Sequence, residues 1–260
     1  MSLAPFTFRQ STPDDFAAWL GLVPHEMPID PAVLRALPAL WSGLLADEAA
    51  EARTITSVEA GREHVDAFGL SVFLRPGLFE DFAAQPPRRI AETIYRAILA
   101  GDAPILRGRD VVKVNSTAGV DVCTLHFCER PVDLNDPVGQ QLIAMGHAAF
   151  RDAHMGYNIR ALLHQNFRAP HKAFLLAGGM TLFHEFDATQ GEASVVVGMT
   201  RERSLAEPAG SPISFLFRTE RPRFYFTASE RRVLRAALSG KADADIAAQL
   251  GVSRDAVKGA

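Results

Sequence analysis

Three side chains that could bind a metal fall close together in one stretch. Cys123, His126 and Cys128 form a C-x-x-H-x-C pattern, and thiolate and imidazole are ligands that zinc prefers. The stretch VDVCTLHF has the alternation of a strand, on which Cys123 points away from His126 and Cys128. Two ligands then share a face, whereas a structural zinc site usually takes about four. We therefore predict no metal site, and interpret the stretch as a strand with one cysteine in the core.

Histidines are concentrated in the middle of the chain. Five of the eight lie in one stretch: His147, His154, His164, His171 and His184. On a helix His147 and His154 share a face near Tyr157, where they could form a polar patch in a ligand pocket. No H-E-x-x-H pattern and no carboxylate at ligand spacing accompanies them. His147, His154 and Tyr157 are thus the predicted ligand-binding residues, with ordinary solvent-facing or hydrogen-bonded histidines as the alternative. No motif in the sequence identifies a cofactor.

Strands and helices alternate irregularly in the first hundred residues. FTFRQS predicts a strand, and TPDDFAAWLGL predicts a helix capped by Thr12. IDPAVLRALPALWSGLLADEA predicts a second helix after Asp30, which Pro38 should bend or divide. ARTITSVEAG and HVDAFGLSVFLR suit strands, and a helix over about 78–99 is interrupted at QPPRR.

The next hundred residues continue this mixture. RDVVKVNSTAGVDVCTLHF predicts a hairpin, because two apolar alternations flank the turn residues NSTAG. A long helix is predicted from about Asp136 to Asn166, and strands are predicted in KAFLLAGGMTLFHEF, ASVVVGMT, SPISFLFR and PRFYF. These elements predict an α/β or α+β fold with a mixed, largely antiparallel sheet and helices.

Near RTERPRFYF the sequence changes from mixed strands and helices to Ala-rich helices. In TASERRVLRAALSG, Thr227 and Glu230 have the spacing of a capping box, and Gly240 has the position of a left-handed helix end. KADADIAAQL predicts a further short helix, and RDAVK begins another after the turn GVS. We therefore predict an α/β domain at 1–222 and an all-α part at 223–260.

The segment FTASERRVLRAALSGKADADIAAQLGVSRDAVK resembles the first half of a LuxR-type helix-turn-helix domain. The matching positions are Phe226, Thr227, Glu230, Val233, Leu234, Gly240, Asp245, Ile246, Ala247, Leu250, Val252, Ser253, Val257 and Lys258. The resemblance implies a bacterial transcription regulator rather than an enzyme. It also implies a sensor or dimerisation domain at 1–222, a small-molecule effector, a homodimer and DNA as partner.

The same resemblance implies which residues meet DNA. They are Thr227, Ser253, Arg254, Asp255, Val257 and Lys258. Ser253 would cap the recognition helix, Lys258 would contact a base edge or phosphate, and Arg254 would contact the backbone. Ser229 and Ala244 stand where the family has positive contacts, and the module breaks off at VKGA, so we expect only weak DNA binding by this chain. A structural helical hairpin is the alternative.

A second, looser similarity concerns the beginning of the chain. FRQSTPDDFAAWL and the strand-rich plan are similar to acyltransferases of the GNAT superfamily. That superfamily cradles a coenzyme pyrophosphate with a Gly-containing loop, but no Q/R-x-x-G-x-G/A stretch occurs here, so its backbone donors are missing. An acyltransferase with a structural helical tail is therefore the alternative function.

Composition and charge set outer limits. The 260 residues are 48% apolar and 22% charged, which is typical of a soluble globular protein with one or two domains. A net charge of -3 excludes nucleic-acid binding by overall charge alone. Two cysteines are too few to stabilise a secreted fold by disulfides. The opening MSLAPFTFRQ lacks the basic flank and apolar run of a signal peptide. We expect a cytoplasmic protein.

Overall fold

A seven-stranded sheet forms the centre of the computed structural model, which describes residues 6–133, 136–206, 214–218, 226 and 228–258. The strands are β1 (Thr7–Gln10), β2 (Ala50–Glu59), β3 (Arg62–Leu74), β4 (Val120–Glu129), β5 (Ile159–Asn166), β6 (Thr181–Phe186) and β7 (Ser194–Thr200). Their order is β1-β2-β3-β4-β5-β7-β6, and only the β4–β5 pair is parallel within this sheet. The predicted fold class, with a mixed and largely antiparallel sheet, is confirmed.

Helices connect the strands and follow them. They are α1 (Phe16–Glu26), α2 (Pro31–Ala46), α3 (Leu78–Ala84), α4 (Ile90–Leu99), α5 (Arg109–Ser116), α6 (Pro137–His154), α7 (Ala169–Ala177), α8 (Arg201–Ala206), α9 (Ser214–Arg218), α10 (Ala228–Leu238), α11 (Asp243–Leu250) and α12 (Arg254–Lys258). As predicted, α2 follows Asp30, whose carboxylate accepts hydrogen bonds from the Ala32 and Val33 N–H groups. Pro38 lies inside this helix without ending it. Among the described helices, none has both the length and the apolar character that a membrane crossing requires.

The sheet buries different layers on its two faces. On the face toward α1, α2 and α4, which we call the α2 face, Trp19 stacks on Phe68 at 4.3 Å and Trp41 packs edge-on against both rings. The opposite face, toward α6, we call the α6 face; there α6 packs on β1, β2 and β3. The aromatic core therefore fills the α2 face, and the α6 face carries the cavity described below.

The predicted hairpin before β4 is wrong, because its first half is helix α5. Val111 and Asn115, four residues apart, are both buried on one side of this helix. The Asn115 side-chain oxygen accepts the Asn158 N–H at 2.7 Å, which ties α5 to the start of β5. A long-range hydrogen bond thus fixes a segment whose valines alone favour a strand.

Two other boundaries differ from the prediction. The long helix ends at His154, where Gly156 has a φ of +130° and β5 begins shortly afterwards. The first part of the predicted strand KAFLLAGGMTLFHEF is helix α7, with Pro170 in its first turn, and only the second part is strand β6. SPISFLFR contains the short helix α9 rather than a strand, and PRFYF lies mostly outside the described residues.

The C-terminal helices pack around a small apolar cluster of their own. Its buried members are Val233, Ala236, Ile246, Ala247 and Val257. Gly240 has the predicted left-handed conformation at a φ of +80°, and the Ser253 hydroxyl accepts the Ala256 N–H at 3.1 Å, as expected of a cap. Thr227 lies outside the described residues.

Candidate functional site

β4 and β5 separate part-way along their length. Their parallel pairing runs from Val120 on β4 and ends where Thr124 meets His164. At the same level the β3–β4 register passes from Thr124 to His126 and leaves Leu125 out of the described ladder. Such an extra residue is a β-bulge, which bends the strand and disrupts the ladder locally. Beyond this point the second half of β4 has a strand neighbour on one side only within the described sheet.

A cavity of about 90 Å³ lies on the α6 face above this separation. Its floor comes from β2, β3, β4 and β5, and its walls come from α6 and α7. Apolar side chains of the walls and roof include Ile143, Phe150, Leu175, Met180 and Leu216. The exposed surface of the lining is mostly apolar, although polar side chains reach it from the floor and from both wall helices; a mostly apolar lining with a few polar groups is typical of a small-molecule site.

Close packing closes the sides of the cavity. Gly146 of α6 lies directly over Phe127 of β4, since a Cβ added to this glycine would lie 2.4 Å from the ring. The helix can therefore approach the strand only without a side chain at position 146. Between α6 and α7 the His147 ring stacks on Phe174 at 4.9 Å, and Phe174 is partly exposed. This ring pair therefore forms part of the cavity wall between the two helices.

A row of polar side chains crosses the cavity floor. Its members, one from each of four adjacent strands, are Glu51, Ser71, Thr124 and His164. The Ser71 and Thr124 hydroxyls are 3.3 Å apart. Because neighbouring strands lie about 4.8 Å apart, the row spans about 14 Å from the Glu51 backbone to that of His164.

His164 ends this row beside the β4–β5 separation. Its Nδ1–H points at the Thr124 carbonyl oxygen, 3.4 Å away. Burial lowers the pKa of His164 to about 4, since the charged imidazolium would lose its hydration. At neutral pH the row therefore ends in an uncharged imidazole.

A carboxylate is anchored at the far end of β4. Glu129 is fully buried, and its Oε1 accepts from Arg168 at 2.8 Å and from His171 Nε2 at 3.1 Å. Asn166 fixes the tautomer of this histidine: its Oδ1 accepts the Arg168 N–H, so its Nδ2 donates to His171 Nδ1. The remaining proton of His171 is then on Nε2 and points at Glu129. This cluster fixes the β5–α7 corner against β4.

The opposite end of the cavity is bordered by a charged group that we call the Glu51 wall. Glu51 Oε1 accepts from Tyr157 Oη at 2.6 Å and from Arg231 of α10 at 3.0 Å, and Oε2 accepts from Arg53 at 3.3 Å. Arg53 also donates to Asp152 at 2.9 Å. Both Glu51 and Arg53 line the cavity on one side of the wall and a second, larger hollow on the other.

This second hollow, the arginine basin, has a volume of about 480 Å³. It lies between α10 and the beginning of β2. The charged residues that line it are Arg53, Arg231, Arg232, Arg235, Glu48 and Glu51. Arginines outnumber glutamates in this lining, so the basin has an excess of positive charge.

His154 borders the cavity next to the wall. Its Nδ1–H donates to the Phe150 carbonyl at 2.7 Å, as an i to i−4 contact at the end of α6. Its Nε2 is buried and has no hydrogen-bond partner among the described residues. Burial lowers the pKa of His154 to about 4, so this nitrogen carries a lone pair at neutral pH.

The structure brings the three predicted ligand-binding residues to one region. His147 and His154 line the cavity, as expected of residues on one face of α6, and Tyr157 lines the arginine basin next to the wall. Sequence reasoning missed the floor residues Ser71 and Thr124, because only strand register brings them together. A ligand at these positions stays a prediction.

The C-x-x-H-x-C stretch lies on the α2 face, away from the cavity. The bulge at Leu125 reverses the alternation, so Cys123 shares a face with His126 and Cys128, contrary to the prediction. His126 accepts from the Tyr95 hydroxyl at 2.8 Å, and its Nδ1 lies 3.8 Å from Cys128 Sγ. Among the described residues, no group of three or more metal-binding side chains converges. Neither cysteine is part of a disulfide, and both are buried.

The comparisons with known proteins give fold likeness only. No protein-family model matches the sequence, and no curated protein matches it. A solved structure described as a GNAT-family acetyltransferase from Desulfovibrio desulfuricans is 12% identical with a TM-score of 0.43, over 75% of this chain and 98% of that one. The spermidine/spermine N-acetyltransferase SpeG from Vibrio cholerae is 9% identical with a TM-score of 0.45, over 77% and 96%. FeeM, an N-acyl amino acid synthase from uncultured soil microbes, is 13% identical with a TM-score of 0.43, over 77% and 95%.

These findings correct the function expected from the LuxR-type resemblance. The predictions of a transcription regulator, of a non-enzyme and of DNA as partner are not borne out: no family model of a LuxR-type domain matches the sequence, and the solved structures reported above are described as acyltransferases. In the structure α10 is attached to the sheet region, because Arg231 pairs with Glu51 and the Ser229 N–H donates to Glu48.

The residues assigned to DNA have positions that fit helix packing. Ser253 caps α12, and Val257 is buried against α10 and α11 rather than left without support. Arg254, Asp255 and Lys258 are exposed on a helix of five residues. The short resemblance therefore reflects a pattern that a small helical cluster also requires.

Proposed function

We propose that the chain transfers an acyl group from a thioester of the pantetheine type to an amine. The observation that carries this proposal is the separation of β4 and β5 beyond Thr124 and His164, next to a largely apolar cavity. An extended arm with amide groups can take the place of a missing strand, because the open edge of β4 offers backbone donors and acceptors. A pantetheine arm is extended and carries such amides.

The bulge offers a backbone N–H group that could polarise the thioester carbonyl. The backbone amide of a bulged residue is not committed to a regular ladder, and such donors polarise a carbonyl on which negative charge develops. We assign this role to the backbone at Leu125. The apolar walls around Ile143, Phe150 and Leu175 then accept the acyl chain.

The reaction follows from these groups. The amine nitrogen attacks the thioester carbonyl carbon, so that a C–N bond forms and the C–S bond breaks. The nitrogen gives up one proton, which the departing thiolate takes to become a thiol. His164 is neutral and faces the same row, so its imidazole is the group through which that proton passes.

The start of α6 is not suited to bind the phosphates of a donor. Asp136 caps this helix by accepting the Val138 N–H at 2.8 Å, and Pro137 occupies the first turn. A carboxylate at a helix N-terminus repels the phosphates that such an end otherwise binds. We therefore expect affinity to come from the arm and the acyl chain, and acyl-pantetheine to bind about as well as acyl-coenzyme A.

Calorimetric titration with an unreactive analogue of octanoyl-pantetheine, in which a methylene replaces the thioester sulfur, tests the proposal. Binding is expected for the unaltered chain. Gly146→Leu should abolish binding, because the added side chain enters the space of Phe127. Gly43→Leu is the matched control, since an added Cβ on this α2 glycine meets no atom within 4 Å. Absence of binding by the unaltered chain, or full binding by a folded Gly146→Leu variant, would count against the donor site.

Two broader predictions belong to the same proposal. A cytoplasmic location is supported by two buried cysteines that form no disulfide, as is usual in a reducing compartment. A division into 1–222 and 223–260 is supported by the separate apolar cluster of α10, α11 and α12.

A further inference from the structure

A histidine that lines the cavity next to the Glu51 wall has one ring nitrogen without a hydrogen-bond partner among the described residues. His154 is 2% exposed, its Nδ1 is committed to Phe150, and its Nε2 has no partner among the described residues. Leaving a buried polar atom unpaired costs free energy, roughly 1–3 kcal/mol, which a bound donor would recover. A ligand N–H group is the simplest such donor.

The wall itself has capacity for one more hydrogen bond. Glu51 accepts from Tyr157, Arg231 and Arg53, whereas a carboxylate has about four acceptor positions. A ligand amino group between Glu51 and His154 would thus meet two acceptors. On the other side of the wall, Arg232 and Arg235 line the basin, and no ion-pair partner for either occurs among the described residues.

We infer that the acceptor is an amino acid whose amino group lies between Glu51 and His154 and whose carboxylate lies in the arginine basin. This inference rests on the proposed acyl transfer. An amino acid carries an amino group and a carboxylate on one carbon. The amino group suits the hydrogen-bond acceptors Glu51 and His154, and the carboxylate suits the guanidinium groups of the basin arginines. The basin, at about 480 Å³, has room for the side chain of the acceptor.

The distance between the floor residues Glu51 and Thr124 places the two substrates next to each other. Glu51 and Thr124 lie in one row with the Ser71 strand between them, so their backbones are about 10 Å apart. The Glu51 side chain and an amino group bound to it cover most of this distance. The nitrogen is then adjacent to the β4 bulge, where the thioester carbonyl is expected.

Protons balance along this path. The ammonium form of the acceptor first loses a proton to water in the open basin, and the neutral amine attacks the carbonyl carbon. The second proton goes to the thiolate through the route already described. His154 accepts a hydrogen bond and orients the nitrogen, so it is a positioning residue that touches the acceptor.

The test compares acceptors with and without a carboxylate. Thiol release from octanoyl-pantetheine is measured with L-phenylalanine and with 2-phenylethylamine, and binding of L-phenylalanine alone is measured by calorimetry. The amino acid should be the better acceptor. The double variant Arg232→Ala/Arg235→Ala should raise KM for L-phenylalanine about tenfold, weaken its binding equally and leave the amine unaffected. The double variant Arg254→Ala/Lys258→Ala removes the same two positive charges outside both hollows and is the matched control.

A second pair of variants tests the buried nitrogen. His154→Leu should lower kcat/KM for both acceptors about tenfold, which is more than it changes the affinity for the donor analogue, whereas His154→Gln, which keeps an acceptor near the Nε2 position, should restore part of the loss. Equal use of amine and amino acid, or equal loss for both in the double arginine variant, would overturn the inference. Failure of the donor analogue to bind would instead refute the acyl transfer on which it rests.

Discussion

Three buried histidines predict that the protein loses much of its stability under mild acid. Burial lowers the pKa of His126 to about 3 and those of His154 and His164 to about 4, whereas a histidine in the unfolded chain titrates near 6.5. As the pH falls through about 6.5, the unfolded state takes up protons that the folded state excludes, so the folded state is destabilised. Between about pH 7.5 and 5 each histidine costs about 2 kcal/mol, and the three together cost about 6 kcal/mol. Typical total stabilities are about 5–15 kcal/mol, so the effect is large.

Urea denaturation at a series of pH values measures this loss, with the fluorescence of the buried Trp19 and Trp41 as the signal. Carboxylates contribute little in this window, because their unfolded pKa values lie near 4. His126→Gln should reduce the pH-dependent loss by about one third, and the exposed His184→Gln should leave it unchanged. An unfolding free energy at about pH 5 within about 1 kcal/mol of that at pH 7.5 would refute the reasoning.

Two further substitutions test other parts of the structure. Asn166→Ala removes the acceptor of the Arg168 N–H and the donor to His171. It should lower the free energy of unfolding in urea by about 1–3 kcal/mol. An unchanged urea midpoint would contradict the assigned tautomer of His171. Ile246→Ala empties the centre of the C-terminal cluster and should abolish hydrogen-exchange protection in 228–258 while the sheet keeps its protection; loss in both regions would contradict a separate C-terminal part.

Local signals in the sequence predicted local structure correctly. Asp30 before α2, Gly240 after α10 and Ser253 before α12 each act through hydrogen bonds or backbone angles within a few residues. The predicted hairpin before β4 was wrong because a distant partner decides the outcome there. Valines favour a strand over 109–116, but burial of Val111 and the Asn115 contact with Asn158 make this segment helical.

The candidate site was only partly predictable for the same reason. His147 and His154 could be placed on one helix face from their spacing, since both belong to α6. Glu51, Ser71 and Thr124 come from three strands far apart in the chain, and only the register of the sheet makes them neighbours. Hydrophobic alternation gives the face of each strand but does not give its register.

The bulge at Leu125 links the error on the cysteines to the proposed function. Because side chains on a strand alternate with a period of two, one extra residue turns every later side chain of β4 to the opposite face. Without it, His126 and Cys128 would point toward the cavity, and Phe127 and Glu129 would point into the core of the α2 face. The same irregularity coincides with the end of the β4–β5 pairing. A single residue that no hydrophobic pattern marks therefore determines both the lining of the cavity and the opening beside it.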